Sequence, residues 1–255
     1  MSRNVEPPTS KRSARVSAVR SLSKKSERIA SGLFLAEGIQ SVREALTFMP
    51  DSVAELYATV AIVKEFPILE SATIVNDDVL AAMCDTKSPQ GVIALCSLPS
   101  NSLAELSAPK GRVAILSNVR DPGNAGTIIR SADAFDFDLV LFADDSVDPW
   151  APKVIRSAAG SHFHLPVLSG CSLSEAIAWS HQQGLRVIAA DLSGDEATDA
   201  ESKTAWLFGN EAWGLTPEAL AQADGAVRIP MGGRAESLNL ATSAGIIFFL
   251  ASLAR

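Results

Sequence analysis

The sequence holds only three cysteines, Cys84, Cys96 and Cys171, at unrelated spacings. That excludes a disulfide framework and a C-x-x-C metal pair, and the three read as reduced, mostly buried thiols. No apolar run approaches the roughly 18 to 20 residues that cross a bilayer, so the chain reads as soluble and without a membrane partner. The first 30 residues are polar and basic and lack the apolar stretch of a secretory signal, which makes the cytoplasm the expected location. No G-x-G-x-x-G follows a strand-like segment, so a Rossmann dinucleotide site is not supported. Gly209 and Gly214 have the spacing of a phosphate loop, but Leu215 stands where that loop needs its lysine, which argues against NTP hydrolysis. His162 and His164 flank Phe163 with no third ligand nearby, so they are expected to lie on one face of a strand-like segment and to bind no metal.

What is present is an ordinary globular composition, 47% hydrophobic and 20% charged, long enough for two small domains. The net charge of −7 conceals an uneven distribution. Residues 1–28 carry eight basic residues against two acidic, +6, leaving fourteen basic against twenty-seven acidic, −13, in the remainder. A basic arm on an acidic body can set local positive potential on a phosphate backbone. A solvated leader is the alternative reading of residues 1–20 taken alone.

From about Ser21 a small α/β unit is legible: strands at Leu33–Ala36, Val53–Thr59, Ile74–Val75 and Gly91–Cys96, with helices at Gln40–Phe48 and Val79–Cys84. Breakers over 99–111 mark a linker between a domain at 21–98 and another at 112–255. The second alternates strands (113–116, 139–142, 186–190, 205–208, 227–229) with helices (124–135, 152–159, 173–183, 217–223, 238–254), the pattern of a mostly parallel sheet covered on both faces.

In such sheets ligands sit beyond the carboxyl ends of the strands. Three polar, glycine-rich turns fall there. The first runs from Ser117 to Arg130, with Pro122-Gly123 breaking the strand, Asn124 a candidate helix cap and Arg130 about two turns into the helix. Helix amides near Asn124 and the Arg130 guanidinium suit a phosphate or a developing oxyanion, although D-P-G-N is equally an ordinary helix start. The second is Phe208 to Pro217. The third, Ile229 to Leu240, offers Ser237 as a cap and leads into a helix apolar nearly all round, which implies burial or a partner subunit.

Together, in this order, the three turns resemble the signature blocks of the SpoU (TrmH-like) family of S-adenosylmethionine-dependent RNA 2′-O-ribose methyltransferases. The resemblance covers roughly Arg112–Arg255, including the stretch Pro152 to Gly160. The first domain is similar to an L30e-like RNA substrate-binding domain, through Phe34-Leu35-Ala36-Glu37-Gly38 and Ser88-Pro89-Gln90-Gly91-Val92. The resemblance implies a trefoil-knotted α/β-knot (SPOUT) domain behind a small α/β domain, a homodimer, and RNA as substrate, with ribosomal RNA favoured over transfer RNA. It also implies that the donor's adenosine is held largely by backbone, with Leu207, Gly209, Ile229, Met231 and Leu238 lining its pocket, and that no metal takes part.

The implied reaction is attack of a ribose 2′-hydroxyl on the donor methyl group, and the implied site is Asn124, Arg130, Glu211, Ser237 and Asn239. Arginine keeps its proton at neutral pH, which makes it a poor base. Arg130 is therefore expected to fix a flanking phosphate and stabilise the 2′-oxyanion while the proton leaves to phosphate, water or another group. Glu211 has a second reading, as a carboxylate that merely caps the backbone beneath it. The competing functions are an RNA-binding ribosome-assembly module that has lost catalysis, a transfer-RNA enzyme of the same family, and a base methyltransferase of the wider knotted superfamily.

Overall fold

The computed structural model describes residues 7–108, 110–196 and 203–253. Residues 1–6 of the basic arm, with Arg3, lie outside the described residues, as do Pro109 of the expected linker and Ala254 of the last helix. The chain forms two compact units: residues 1–99 with 150–163, and 100–149 with 164–255.

The first unit begins earlier than its strand pattern suggests. Helix α1 (Ala14–Ser21) starts at Ser13, whose hydroxyl accepts the Val16 N–H at 3.3 Å. Val16, Val19 and Leu22 recur every three residues and are buried with residues of the sheet. The flexible arm expected over residues 1–20 is thus helical from Ala14 onward, because these apolar positions give a basic segment one stripe to bury. Helix α2 (Lys25–Ser31) ends at Gly32, whose φ of 68° only glycine adopts cheaply.

Strand β1 (Leu33–Glu37), helix α3 (Ile39–Phe48), β2 (Val53–Ala58), α4 (Val60–Glu65), β3 (Thr73–Ile74), α5 (Asp77–Met83) and β4 (Val92–Ser97) complete that part of the chain. The sheet order is β1-β4-β2-β3, antiparallel except where β2 meets β3. Residues 150–163 pack into the same unit. The Phe34 ring lies 4.9 Å from Trp150 and 6.1 Å from Phe163, centroid to centroid. The buried Glu37 carboxylate accepts N–H groups from Asp85 and Thr86 and pairs with Arg156 at 3.0 Å. Arg156 bonds Asp85 as well, at 3.0 Å.

The second unit contains β5 (Arg112–Ser117), α6 (Pro122–Ala134) and β6 (Leu139–Ala143); the next helix, α7 (Pro152–Ala158), belongs to the first unit. Then follow β7 (Val167–Cys171), α8 (Leu173–Gln182), β8 (Arg186–Glu196), β9 (Thr204–Phe208), α9 (Pro217–Leu220), β10 (Gly225–Arg228) and α10 (Leu240–Leu253). All six strands are parallel in the order β10-β8-β9-β5-β6-β7. Strands covered on both faces read as continuous apolar runs, as β6 and β9 do. Val113, Ile115, Leu139, Leu141 and Leu207 pack with Ala176 and Ile177 of α8, while α10 packs on α6.

The two histidines do not share a strand face. His162 sits in a short 3-10 turn, Ser161–Phe163, buried in the first unit. His164 belongs to the second unit, where its Nδ1 lies 2.8 Å from Asp133. Pro166 has no N–H to extend a ladder, and the strand starts only at Val167. No helix among the described residues is long and apolar enough to cross a membrane.

Candidate functional site

The second unit carries a cavity of about 360 Å³ beyond the carboxyl ends of β9 and β10 and beside the middle of β8. Its walls are the middle of β8 (Ala190, Asp191, Leu192), the turn after β9 (Phe208 to Gly214), the chain after β10 (Ile229, Met231, Ser237, Leu238) and the first half of α10. The volume lies within the range of small-molecule sites.

The turn after β9 is shaped by two glycines. A Cβ on Gly209 would lie 2.4 Å from the Gly214 carbonyl carbon, so any side chain there forces the loop open. Asn210 and Gly214 exchange backbone hydrogen bonds at 2.9 Å in both directions, and Gly214 sits at φ 71°. The buried Asn210 side chain donates to the Asn118 carbonyl at 2.8 Å, tying this turn to the one after β5.

Capping differs from the sequence expectation in a way that matters. Asp121, not Asn124, caps α6, accepting the Asn124 N–H at 2.8 Å. The Asn124 amide is thereby released to bond Glu211 through Nδ2 at 3.3 Å and to accept from Asn239 Nδ2 at 3.0 Å. Likewise Asn239, not Ser237, caps α10, its Oδ1 accepting the Ala241 N–H at 2.9 Å. One chain of hydrogen bonds, Asn239 to Asn124 to Glu211, therefore joins all three polar turns.

Glu211 is the hub. Its Oε1 accepts the Asp121 N–H at 2.9 Å and its Oε2 the Arg120 N–H at 3.1 Å. Partial burial pushes the carboxyl pKa upward, but the hydrogen bonds from Asp121, Arg120, its own backbone and Asn124 outweigh it and hold Glu211 below the ordinary carboxylate range. It is an anion at neutral pH, and its contacts order the backbone of the first turn. Glu211 thus both accepts from the backbone of the first turn and lines the cavity.

Of the remaining expected site residues, Gly209, Ile229, Met231, Ser237 and Leu238 line the cavity. Leu207 does not; its side chain is fully buried in the core between the sheet and α8, because alternation along β9 turns it there. Arg130 lies on α6, exposed, outside the lining and with no hydrogen bond or ion pair among the described residues. Asp191, Leu192 and the 61%-exposed Trp213 are wall residues that the motif reading did not single out. Among the described residues no cluster of His, Cys, Asp and Glu is placed to hold a metal.

The cavity thus combines apolar walls, closely approaching backbone and a polar network at one side. The profile of the SpoU rRNA Methylase family matches residues 111–249, and that of the MRM3-like substrate binding domain matches residues 13–94. The 23S rRNA (guanosine(2553)-2′-O)-methyltransferase RlmP of Bacillus subtilis is 33% identical over 231 residues, 88% of this chain and 90% of its own. The SpoU methyltransferase AviRb from Streptomyces viridochromogenes, in complex with AdoMet, superposes with a TM-score of 0.84 at 28% identity, over 94% of this chain and 97% of its own. The AdoMet-bound rRNA methyltransferase from Sinorhizobium meliloti superposes with a TM-score of 0.82 at 30% identity, over 96% of each chain. The fold is that of the α/β-knot methyltransferases, preceded by a small α/β domain, and the chain belongs to the SpoU rRNA methylase family.

Proposed function

We propose that this protein is a ribosomal-RNA 2′-O-ribose methyltransferase using S-adenosylmethionine. The observation that carries the reading is the hydrogen-bonded chain Asn239–Asn124–Glu211 at the edge of the cavity, which joins three turns distant in sequence. Ribosomal RNA is favoured because the RlmP relative, named for 23S rRNA, aligns over 88% of the chain. Residues 13–94 are taken as the substrate-binding domain, and the exposed Arg12, Arg20, Lys24 and Lys25 in and beside α1 and α2 as phosphate contacts.

The cavity fits the donor. Gly209 lets backbone approach a ligand closely, while Ile229, Met231 and Leu238 give an adenine face apolar cover. When bound, S-adenosylmethionine supplies an electrophilic methyl group on a sulfonium that departs as a neutral thioether. The protein's task is to bring a ribose 2′-hydroxyl to that group and stabilise the charge it develops. Asn124 and Asn239, fixed by Glu211, orient the hydroxyl, and Ser237 stands at the same wall. Arg130 serves as phosphate anchor and electrostatic partner of the oxyanion. Glu211 is already ionised and bonded, so its part is positioning.

We infer a homodimer from α10. Phe249 and Leu253 are 49% and 60% exposed on a helix that is apolar nearly all round. Light scattering of the full chain tests it: a dimer is expected, and a monomer at micromolar concentration overturns it. The function itself is tested by mapping 2′-O-methyl sites in total RNA with and without the protein. Loss of one ribosomal position is expected, and an unchanged map overturns the assignment.

A further inference from the structure

Two carboxylates line the cavity, and they differ in what they have left to offer. Glu211 spends both oxygens on Arg120, Asp121 and Asn124. Asp191 spends only one: its Oδ1 accepts the Ser193 N–H at 2.9 Å and the Ser193 hydroxyl at 2.6 Å. Its Oδ2 has no hydrogen bond among the described residues. A Cβ built on Gly214 would lie 3.8 Å from Oδ2, so the oxygen faces the glycine side of the turn after β9, where no side chain blocks its approach.

The backbone is shaped to put this carboxylate there. β10 pairs with β8 through Ala226 opposite Ala189 and then Val227 opposite Asp195, so residues 190–194 leave the ladder as a five-residue excursion. The excursion is held at its far end, where a Cβ on Gly194 would lie 2.4 Å from the Ala226 carbonyl carbon and where Arg228 pairs with Glu196 at 2.9 Å. A pinned excursion that turns a carboxylate into a ligand cavity, with one oxygen locked and the other open, is a built acceptor for hydroxyl donors.

We propose that Asp191 binds the ribose hydroxyls of the methyl donor, a side-chain contact in a site otherwise lined largely by backbone and apolar groups. This rests on the donor reading given above. An acidic residue at the point where β8 leaves its ladder is suited to a ribose hydroxyl because its free oxygen accepts O–H donors. Charge-assisted hydrogen bonds of this kind are worth enough to change affinity about tenfold to a hundredfold. Ser193 acts as the positioning residue, fixing the carboxylate plane through Oδ1.

The test is calorimetric titration of the full chain with S-adenosylmethionine, with 5′-methylthioadenosine, and with the 2′,3′-dideoxy form of the latter. In the unsubstituted protein the dideoxy compound is expected to bind about tenfold or more weakly than methylthioadenosine. Asp191→Ala should weaken S-adenosylmethionine and methylthioadenosine by that factor and leave the dideoxy compound unchanged, with an unaltered melting temperature. Asp191→Asn, which keeps an acceptor oxygen in the same shape, should fall between and guards against a folding defect in the alanine variant. Equal weakening of all three ligands, or loss confined to S-adenosylmethionine, overturns the ribose assignment. Unchanged donor affinity in both variants overturns it as well, while the donor reading stands. If the unsubstituted protein fails to bind S-adenosylmethionine, the donor reading falls first and takes this assignment with it.

Discussion

Glu37 and Glu211 accept hydrogen bonds in nearly the same pattern. Each takes two consecutive backbone N–H groups from a distant turn, Asp85 and Thr86 in one case, Arg120 and Asp121 in the other. The difference lies in what surrounds them. The Glu37 side chain is 3% exposed and neutralised by Arg156, whereas Glu211 is exposed, has no cation partner among the described residues and adjoins a cavity. The first is a closed structural clasp. The second is a clasp whose other side is open to the cavity.

Removing the clasps separates the two roles. Glu37→Ala takes from the half-buried Arg156 one of its two carboxylate partners, Asp85 being the other, and leaves two amides without their acceptor, which costs about 1 to 3 kcal/mol. Denaturant unfolding of the full chain should show this loss, and a change below about 1 kcal/mol would mean that solvent replaces the carboxylate, so that the clasp is not closed. Glu211→Gln should cost about 1 kcal/mol, since water can reach the freed groups. Its larger effect falls on methyl transfer, through disorder of the turn that carries Asn124. Full transfer activity in Glu211→Gln would remove Glu211 from the site.

Acid separates them further. The Glu211 pKa is held below its ordinary value of 4.5 in the folded chain, so its contribution to stability is complete above that value and is lost as pH falls through the folded pKa. Between about pH 5 and 8 the Glu211 contacts therefore contribute no pH dependence to stability. The stability difference between the unsubstituted chain and Glu211→Gln should stay constant above about pH 4.5 and shrink below it as the carboxylate protonates. A difference that fades already near pH 6 would contradict the depressed pKa.

Five of the six strands of the parallel sheet were legible because buried strands are apolar throughout and their turns are punctuated by Gly and Pro, as at Phe208-Gly209 and Asp121-Pro122-Gly123, whereas the half-buried edge strand β7, with Ser169 and Gly170 inside it, was not assigned. Helix α1 was not, because Val16, Val19 and Leu22 are sparse apolar positions in a run of basic residues. That the stretch 150–163 packs with residues far upstream was invisible, since chain adjacency carries no information about which core Trp150 and Phe163 enter. The membership of Asn124, Glu211 and Asn239 in one site came from family resemblance, but their mutual bonding follows from which residues cap the helices, and the capping residues expected from sequence were the neighbouring polar ones. Asp191 escaped notice because the excursion of β8 breaks the strand period at the point where the cavity wall begins.

Arg130 supplies the smallest expected change in stability and the sharpest division between holding the fold and doing chemistry. It is exposed on α6 and bonds nothing among the described residues, so Arg130→Ala should alter unfolding free energy by no more than about 0.5 kcal/mol. Losing a charge-stabilising donor at a transition state typically lowers the rate about 10²- to 10³-fold. Single-turnover methyl transfer should fall by that order in Arg130→Ala. Arg130→Lys should recover RNA affinity more than rate, because an ammonium keeps the charge but not the two-pronged geometry. Transfer rates unchanged in both variants would leave Arg130 as a plain surface residue. The hydrogen-bonded chain around Glu211 would then have to accommodate the developing oxyanion through the Asn124 and Asn239 amides alone, and Asn239→Ala would become the variant with the largest loss of rate.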